Sequence, residues 1–478
     1  MNSIYRLIPD WATMPLKVWG SLVFISVFIF APTLSFDFVN WDDPAYIWHN
    51  ELIRSWSPSN LFDIATQTVT RNYAPITVFS FLMDFTVWQM NPFGYHATSL
   101  VLHTLNGLLV FALVRQLTND SRIAWLTAAL FLVHPVQIET VAWISSRKGL
   151  LSGAFMLAAL CFRLKKDLQT EDEGCYIAML TAALLSKALA VVLPPIVLLY
   201  DVLVRREKLS SAVPRQFIPG LLSLLLLLYT MGAQNSITGG IRGHLSLSLA
   251  HIMAIDVTIL TRYVRMLFWP SDLCVLYDPP TSGIALPVIL GLAGWGAIAF
   301  EAYRRRNDRP MLFWMMATWF LLLFPVLNFF RITTLMNDRY LYLPCIVVFG
   351  LVSSGIVRTH DWLAEGSRQL AFRSFSSRGI QVFSIVAVIT AAVATRSHLP
   401  VWQNSESLWR HAMQHVPQLA IVHIQSAYHL HDSGRVREAI AVLRSAQETC
   451  EADALDRERM ARTIAIWSDE LTRVASRD

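Results

Sequence analysis

The stretch LKVWGSLVFISVFIFAPTLSFDFVNWDD, residues 16–43, decides the fold class of this chain. Its first part is an almost unbroken apolar run, and a hydrocarbon core about 30 Å thick requires roughly 20 such residues in a helix. The run ends at Phe36, and two adjacent carboxylates, Asp42 and Asp43, follow within a few residues. An acidic pair beside a membrane is costly to desolvate, so it indicates chemistry at the membrane surface. The stretch therefore predicts a transmembrane helix that leads into a functional loop.

The composition extends this interpretation to the whole chain. Of 478 residues, 54% are hydrophobic and 15% are charged, whereas about 25% of the residues in a soluble domain are charged. The mean hydropathy is +0.44. The five cysteines are scattered without a CxxC spacing, which indicates neither a zinc site nor a disulfide framework. The net charge of +5 lies mainly in loops and indicates membrane orientation rather than nucleic-acid binding. We predict an all-α, polytopic membrane protein.

Apolar runs of helical length recur along the chain and predict about eleven membrane crossings. The first run resembles a signal peptide, but its length and the lack of a small-residue cleavage pattern favour a retained anchor. The run 175–204 is too long for one crossing and short for two, and it is split at Ser186–Lys187 because a single crossing would place Arg205, Arg206 and Lys208 outside. Segment 247–270 carries three charged residues and is expected to be an amphipathic or re-entrant helix on the outer side. The predicted crossings are 16–35, 97–116, 123–143, 149–164, 175–186, 188–204, 217–235, 284–303, 311–330, 340–357 and 379–396.

The charges of the loops set the expected orientation, because lysine and arginine near helix ends favour the cytoplasmic side. Basic clusters such as Arg304 to Arg306 agree on one side when the N-terminus is cytoplasmic. The loop 36–96, here named the outer loop, and everything after residue 397 then lie on the outer, periplasmic side of an inner (plasma) membrane. Residues 1–398 are expected to form the membrane domain.

The composition changes after Pro400 to a soluble helical pattern, so residues 399–478 are expected to form a small helical domain on the outer face. A repeat that starts at Ala420 matches the tetratricopeptide motif, and its period extends in both directions to about two repeats. A plain helical hairpin is the alternative. The small or apolar positions of the motif hold Ala427, Ala439, Leu443 and Ala446.

Several basic residues depart from the orientation rule and stand on the outer side. Arg147 and Lys148 lie in a tight turn between two crossings, and Lys187 interrupts an apolar run. Arg331 and Arg339 flank another outer loop. Cations at the membrane boundary, opposite an acidic pair, suit the phosphate of an anionic lipid. Snorkelling side chains or local ion pairs are the alternative explanation.

The crossing 123–143 carries polar groups next to a proline. Proline kinks a membrane helix and frees a backbone carbonyl, which is tolerated where the helix lines a cavity. His134 and Glu139 are about 140° apart around a regular helix, so they share a face only if the kink at Pro135 rotates them together. Each can instead be a satisfied polar residue of the core. No pair of metal ligands at i, i+4 spacing appears in this crossing, and no metal site is predicted there.

Seven blocks occur in a fixed order along the chain. They are FVNWDDPAYI, NYAPITVFSFLMD, NPFGYHATSLVLH, ALFLVHPVQIETVAWISSRKGLLS, LLSKALAVVLPPIVLLYD, YVRMLFWPSDLCVLY and NDRYLYLP. With the tetratricopeptide-like helices that follow, this order resembles the bacterial relatives of the transmembrane and tetratricopeptide-repeat O-mannosyltransferases. That family belongs to the C-type (GT-C) glycosyltransferases, which use polyprenyl-phosphate-linked sugars. The resemblance covers about residues 36 to 430. Tyr73 and Tyr340, which lie within the blocks, join His134 and Glu139 as candidates for lining a cavity.

The resemblance implies that Asp42 and Asp43 form the catalytic element, with one carboxylate as general base for an acceptor hydroxyl. Asp42 is favoured as the base and Asp43 as its orienting partner. Pro44 is expected to hold Asp43 in an extended conformation, which would direct the two side chains apart. Adjacent carboxylates can also hold Mg²⁺ or Mn²⁺, so a divalent cation at this pair is an open alternative, although no cofactor is firmly implied. By the same resemblance, the donor phosphate binds Arg147, Lys148, Lys187 and Arg339.

The predicted function is transfer of a sugar, a hexose such as mannose, from a polyprenyl-phosphate donor to a protein. The acceptor is a Ser or Thr hydroxyl of a periplasmic or secreted protein on the outer face. An acceptor on a lipid or envelope glycan, a lipid transporter and a silent membrane scaffold are the alternatives. Ala74 and Gly149 depart from the family pattern, in which a His or Arg and an acidic residue are usual.

Overall fold

The structure is a computed structural model that describes residues 16–234, 247–328, 334–366, 370–450, 452 and 454–475. Within these ranges the chain folds into α-helices joined by short turns, and no β-strand is present. In the same ranges, the only pairing of strand type is an isolated antiparallel bridge between Val69 and Asn72. The all-α fold class predicted from the sequence is confirmed.

The helices are numbered in chain order. Those before residue 220 begin with α1 (Leu16–Phe30), α2 (Pro58–Thr66), α3 (Pro75–Trp88), α4 (Pro92–Thr118), α5 (Ser121–Val133), α6 (Ile138–Ala142), α7 (Arg147–Arg163), α8 (Thr170–Ser186), α9 (Leu193–Leu203), α10 (Leu209–Arg215) and α11 (Phe217–Gln234). Those that follow are α12 (Leu249–Phe268), α13 (Ala285–Arg304), α14 (Pro310–Leu323), α15 (Cys345–Gly366), α16 (Leu370–His398), α17 (Ser405–His415), α18 (Ala420–Asp432), α19 (Val436–Thr449) and α20 (Ala454–Ala475).

Length and composition identify fewer crossings than the eleven expected. Among the described residues, four segments are long and apolar enough to cross a membrane, or six if each of two bent helix pairs counts as one crossing. Other predicted crossings correspond to shorter helices, such as α7 and α8 with 17 residues each. The number eleven therefore stays a prediction. The four segments are Leu16–Ser35, Pro92–Thr118, Ala285–Arg304 and Gly379–Trp402.

One predicted crossing, 123–143, and one apolar run, 175–204, are interrupted by residues that leave the helix. At the end of α5 the ring of His134 accepts a hydrogen bond from the backbone of Val136, and Pro135 begins a new turn. The helical pieces on either side are bent by 57°. Between α8 and α9, Lys187 has an extended backbone with φ −162° and ψ 131°. The predicted kink at Pro135 and the predicted break at Ser186–Lys187 are confirmed.

Segment 247–270 forms α12, a continuous helix with one buried and one exposed face, as the sequence predicted. Its buried Asp256 accepts hydrogen bonds from the backbone N–H of Asn328 at 3.2 Å and from the Asn328 amide at 2.7 Å. Those bonds satisfy a carboxylate that would otherwise be costly to bury. The side of the membrane on which α12 lies stays a prediction.

The outer loop packs around its own apolar cluster and is attached to the membrane helices. Phe38, Tyr46 and Phe81 are buried in that cluster. The hydroxyl of Thr77 donates a hydrogen bond to the carbonyl of Ser186 at 3.1 Å, at the last residue of α8. The loop is therefore an integrated part of the helical body that places its residues beside the break at Lys187.

The helices after His398 pack in sequence, each against the next. Trp409 of α17 is buried in the same apolar core as the membrane helices, whereas α18, α19 and α20 share a smaller cluster. Gly434, with φ +76°, forms the turn between α18 and α19, a conformation that favours glycine. The division at residue 398 and the tetratricopeptide assignment stay predictions. The four motif positions named above, Ala427, Ala439, Leu443 and Ala446, are all buried.

Candidate functional site

Asp43 is the buried member of the acidic pair, with 1% of its surface exposed. Its Oδ2 accepts a hydrogen bond from the backbone N–H of Val39 at 2.9 Å. Its Oδ1 accepts one from the backbone N–H of Ser145 at 3.0 Å and another from the Ser145 hydroxyl. Burial raises the pKa of Asp43 to about 6, against the opposing effect of these bonds. Asp43 thereby joins the outer loop to the turn that precedes α7.

The extended backbone expected at Asp43 is wrong. Asp43 has φ −59° and ψ −34°, which are helical values, and Pro44 begins the single helical turn Pro44–Trp48. Proline suits this first position because the N–H that it lacks would have no partner there. The three hydrogen bonds to the carboxylate stabilise a conformation that a following proline normally disfavours. Burial, rather than backbone direction, gives the two aspartates different environments.

Asp42 is the accessible member of the pair, with 31% of its side chain exposed. Its Oδ2 lies 3.9 Å from Nζ of Lys148. Its backbone carbonyl accepts hydrogen bonds from the N–H groups of Ala45 at 3.0 Å and Tyr46 at 3.1 Å, which fix the main chain. The main chain at Asp42 is thus held in place while part of the carboxylate remains accessible, as a proton acceptor requires.

Three cations lie close together on the helical breaks beside Asp42. Lys148 lies over the ring of Tyr46, with 5.1 Å between Nζ and the ring centroid. Lys148 and Arg339 both act electrostatically on Lys187. Within the described part of the chain, we find no hydrogen bond or ion pair that neutralises the Lys187 ammonium. A methyl group added at Gly149 would lie 4.0 Å from that ammonium and 3.5 Å from Cγ2 of Thr140, so Gly149 lies directly against Lys187.

Arg339 and Glu139 form an ion pair across two segments that are far apart in sequence. The guanidinium of Arg339 donates to Oε1 of Glu139, and its backbone N–H donates to Oε2 at 2.8 Å. The guanidinium also lies 5.3 Å from the ring centroids of Trp143 and Tyr340. Its remaining N–H donors can bind a phosphate oxygen while Glu139 fixes its position.

The guanidinium of Arg147 is bound by residues of the outer loop. Its guanidinium is fully buried, pairs with Oδ2 of Asp84 at 2.5 Å and donates to the carbonyl of Tyr95 at 2.8 Å. The ring of Phe81 covers it, with 4.4 Å to the centroid. A buried arginine that already has a carboxylate partner has little capacity for a ligand. We therefore leave Arg147 out of the proposed donor-binding set and assign it to the attachment of the outer loop.

The other cavity candidates have local partners. The second ring nitrogen of His134, Nε2, donates to the carbonyl of Leu267 at 3.1 Å, so both nitrogens are used. Tyr73 donates to the carbonyl of Ala65 at 2.8 Å and packs on Tyr229. The hydroxyl of Tyr340 lies 3.2 Å from that of Thr334, and its ring contacts Arg339. Of the four cavity candidates, Glu139 and Tyr340 contact Arg339. Arg331 lies outside the described residues.

Sequence reasoning missed the residues that position the site. Ser145 holds Asp43, Asp84 neutralises Arg147, and the buried Asp338 accepts a hydrogen bond from Tyr277 beside Arg339. Two signals were present in the sequence. Ser145 stands two residues before Arg147 within the same block, and Asp338 directly precedes Arg339. Their partners come from distant segments, which a single sequence does not pair.

The residues of the acidic pair fit a divalent cation poorly. Both oxygens of Asp43 accept hydrogen bonds from protein donors, and Asp42 faces the ammonium of Lys148. A metal ion there would compete with these donors for the same oxygens. The described residues contain no group of three or more His, Cys, Asp or Glu arranged to hold a metal ion.

The chain resembles known proteins over most of its length, although no family model matches it. It is 24% identical to the human protein O-mannosyl-transferase TMTC1 over 450 residues, which cover 80% of this chain and 48% of that protein. It is 29% identical over 204 residues to the protein O-mannosyl-transferase F38B6.6 of Caenorhabditis elegans, covering 40% of this chain and 29% of that protein. The chain thus spans about half the length, or less, of these relatives.

A solved structure also shows similarity. The oligosaccharyltransferase of Archaeoglobus fulgidus, crystallised with a tethered acceptor peptide, superposes with a TM-score of 0.49 at 12% identity. The alignment covers 83% of this chain and 56% of that one. From the sequence comparisons, the chain is a homologue of the protein O-mannosyl-transferases. The family resemblance of the seven blocks is confirmed.

Proposed function

We propose that this chain is a membrane glycosyltransferase that moves a hexose from a polyprenyl-phosphate donor to a Ser or Thr hydroxyl of a protein on the outer face. The observation that carries the proposal is the placement of an accessible carboxylate, Asp42, beside three clustered cations. Its homologues are named protein O-mannosyl-transferases, which supports mannose as the sugar. The acceptor hydroxyl and the leaving phosphate are each served by a separate group of residues.

Asp42 serves as the general base. The acceptor oxygen attacks the anomeric carbon of the sugar while Asp42 takes the hydroxyl proton. The bond between that carbon and the phosphate oxygen breaks, and polyprenyl phosphate leaves with the bonding electrons. A single displacement of this kind inverts the anomeric configuration. Asp43 stays in its hydrogen bonds with Val39 and Ser145 and keeps Asp42 in register.

The cations stabilise the leaving group. As the glycosidic bond breaks, negative charge grows on the phosphate, and fixed positive groups lower the energy of that state. Lys187 is the strongest candidate because its ammonium has no hydrogen bond or ion pair among the described residues, whereas Arg339 is paired with Glu139. Arg339 contributes the donors that Glu139 leaves available. Lys148 is shared between Asp42 and the phosphate, and so links the two halves of the reaction.

The test is a transfer assay with the full-length chain in proteoliposomes. The donor is polyprenyl-phosphate mannose, and the acceptors are Ser- and Thr-containing peptides, with Asp42→Asn as the inactive control. We expect hexose on the peptide by mass spectrometry and an equal amount of released polyprenyl phosphate. Release without peptide modification would contradict a protein acceptor. Movement of intact donor across the bilayer without release would favour a transporter, and no change in either species would favour a scaffold.

A further inference from the structure

A second candidate binding site lies away from the acidic pair. A cavity of about 730 Å³ opens between α14 and α15 and is walled further by α4, α7 and α9. Its mouth lies near Arg358, which is thirteen residues after the first residue of α15. The N-terminal end of α15 is the end near Arg339, and Arg358 is about 20 Å from it along the helix. The walls are apolar, and include Leu113, Met156, Leu160, Ile196, Met315 and Val347.

Charged residues occur at one end of this cavity only. Two carboxylates at the mouth, Asp120 and Asp361, are already paired with Arg122, at 2.8 and 2.7 Å. Arg309 and Arg358 also line the mouth, and both are exposed. In the described ranges neither arginine has an ion-pair partner. Asp308 is the one other carboxylate among the lining residues, so within the described residues two arginines and one carboxylate of the lining are left without an ion-pair partner.

We propose that this cavity binds one anionic glycerophospholipid, with its phosphate at Arg309 and Arg358 and its acyl chains between α14 and α15. Arginine binds phosphate oxygens through paired N–H donors. The apolar wall follows α15 from Ile346 to Val357, about 17 Å along the helix axis. One leaflet of the hydrocarbon core is about 15 Å thick, so the wall is long enough to cover the acyl chains.

The polyprenyl-phosphate donor is also an amphiphile, but the position that its phosphate must reach excludes it from this cavity. Its phosphate must reach Lys187 and Arg339 if the proposed transfer is to occur. A phosphate held at Arg358 would keep the sugar about 20 Å from that position, as measured along α15. The lipid site is therefore separate from the donor site, and this separation rests on the proposed function.

The experiment uses the full-length chain in nanodiscs of phosphatidylcholine and phosphatidylglycerol, followed by detergent extraction and native mass spectrometry. We expect one retained phosphatidylglycerol on the wild-type chain. The double variant Arg309→Gln/Arg358→Gln should lose about tenfold or more of that retention, because charge-assisted hydrogen bonds to the phosphate are removed. The matched control is Arg437→Gln/Arg444→Gln, two exposed arginines of α19, which should retain the lipid.

A third variant tests the apolar slot with the arginines intact. A methyl group at Gly350 would lie 3.4 Å from the end of Met315, so Gly350→Leu fills the slot and should also reduce retention. Equal retention by the double variant and its control would overturn the proposal. It would also be overturned if phosphatidylcholine were retained as well as phosphatidylglycerol, or if the retained molecule were a polyprenyl phosphate.

Discussion

The indole N–H of Trp409 donates a hydrogen bond of 2.6 Å to the side-chain oxygen of Asn40, and both residues are buried. The other polar groups of Asn40 also bind the C-terminal helices. Its backbone N–H donates to the hydroxyl of Ser405 at 2.9 Å, and its amide donates to the carbonyl of Gln425 at 2.9 Å. Asn40 precedes Asp42 by two residues. The first C-terminal helices therefore help to position the proposed base.

Replacement of Trp409 by Phe tests this attachment. The ring can keep its contact with Trp41, whereas the loss of the indole donor leaves the oxygen of Asn40 without its partner. We expect a loss of about 1–3 kcal/mol in the free energy of unfolding and a severalfold lower turnover with an unchanged KM for the donor. Thermal unfolding and initial rates provide the measurements. Trp467→Phe, in α20, is the control, and equal effects of the two changes would contradict a positioning role for Trp409.

Asp42→Asn removes the proton acceptor but keeps the shape of the side chain. Transfer should slow by about two to four orders of magnitude, with little change in expression or melting temperature, because Asp42 is partly exposed. Asp63→Asn, on α2 of the outer loop, should leave the rate unchanged. Asp43→Asn should act mainly through loss of order in the loop. A folded Asp42→Asn enzyme that transfers at the wild-type rate would rule out the general-base assignment.

Lys187→Met should impair donor binding or turnover, whereas Arg147→Gln should reduce the stability of the fold. Loss of the Lys187 ammonium should raise the KM for the donor or lower turnover by about ten- to a hundredfold, while the protein stays folded. Loss of Arg147 leaves the buried Asp84 without its partner and should cost about 3–5 kcal/mol of stability. Donor titrations and melting curves on both variants distinguish the two roles. A well-folded Arg147→Gln variant with a raised donor KM would return Arg147 to the donor site.

Stability should depend on pH through Asp43. Folding raises the pKa of this carboxyl from 3.8 to about 6, because burial disfavours the charged form. Its contribution to stability is therefore fully present below the unfolded pKa and is lost as the pH rises through about 6. Between about pH 5 and pH 7 the melting temperature of the wild type should fall relative to that of Asp43→Asn. If Asp43 were ionised throughout this range, the melting temperatures of the wild type and of Asp43→Asn would change with pH in parallel.

Reporter fusions test the orientation. Fusions after Asn119, Lys208 and Arg306 should report the cytoplasm, as the loop charges require. Fusions after Asn60, Thr334 and Arg435 should report the outer compartment. An alkaline-phosphatase and green-fluorescent-protein pair gives a positive signal on each side of the membrane. A cytoplasmic signal at Arg435 would overturn both the expected crossing count and the outer placement of the C-terminal helices.

Local signals made the fold class and both helical breaks predictable. Apolar length predicts helices, Pro135 predicts a kink, and Lys187 inside an apolar run predicts an interruption. The partners of the cations were not predictable in this way. Arg147 and Lys148 are neighbours in sequence, yet one is buried against Asp84 and the other faces Asp42. That difference depends on which helices pack around the turn, and a single sequence does not contain that information.

The attachment of the outer loop has a consequence for protein engineering. The loop is held at one end by Asn40 on Trp409 and near its middle by Thr77 on the last carbonyl of α8. A segment with such fixed points cannot be transplanted by itself, because its hydrogen-bonding partners would remain behind in the donor scaffold. A chimera between two relatives that exchanges residues 36–96 should therefore also exchange the matching parts of α8 and α17. Exchange of the loop alone would produce a misfolded hybrid rather than a change in specificity.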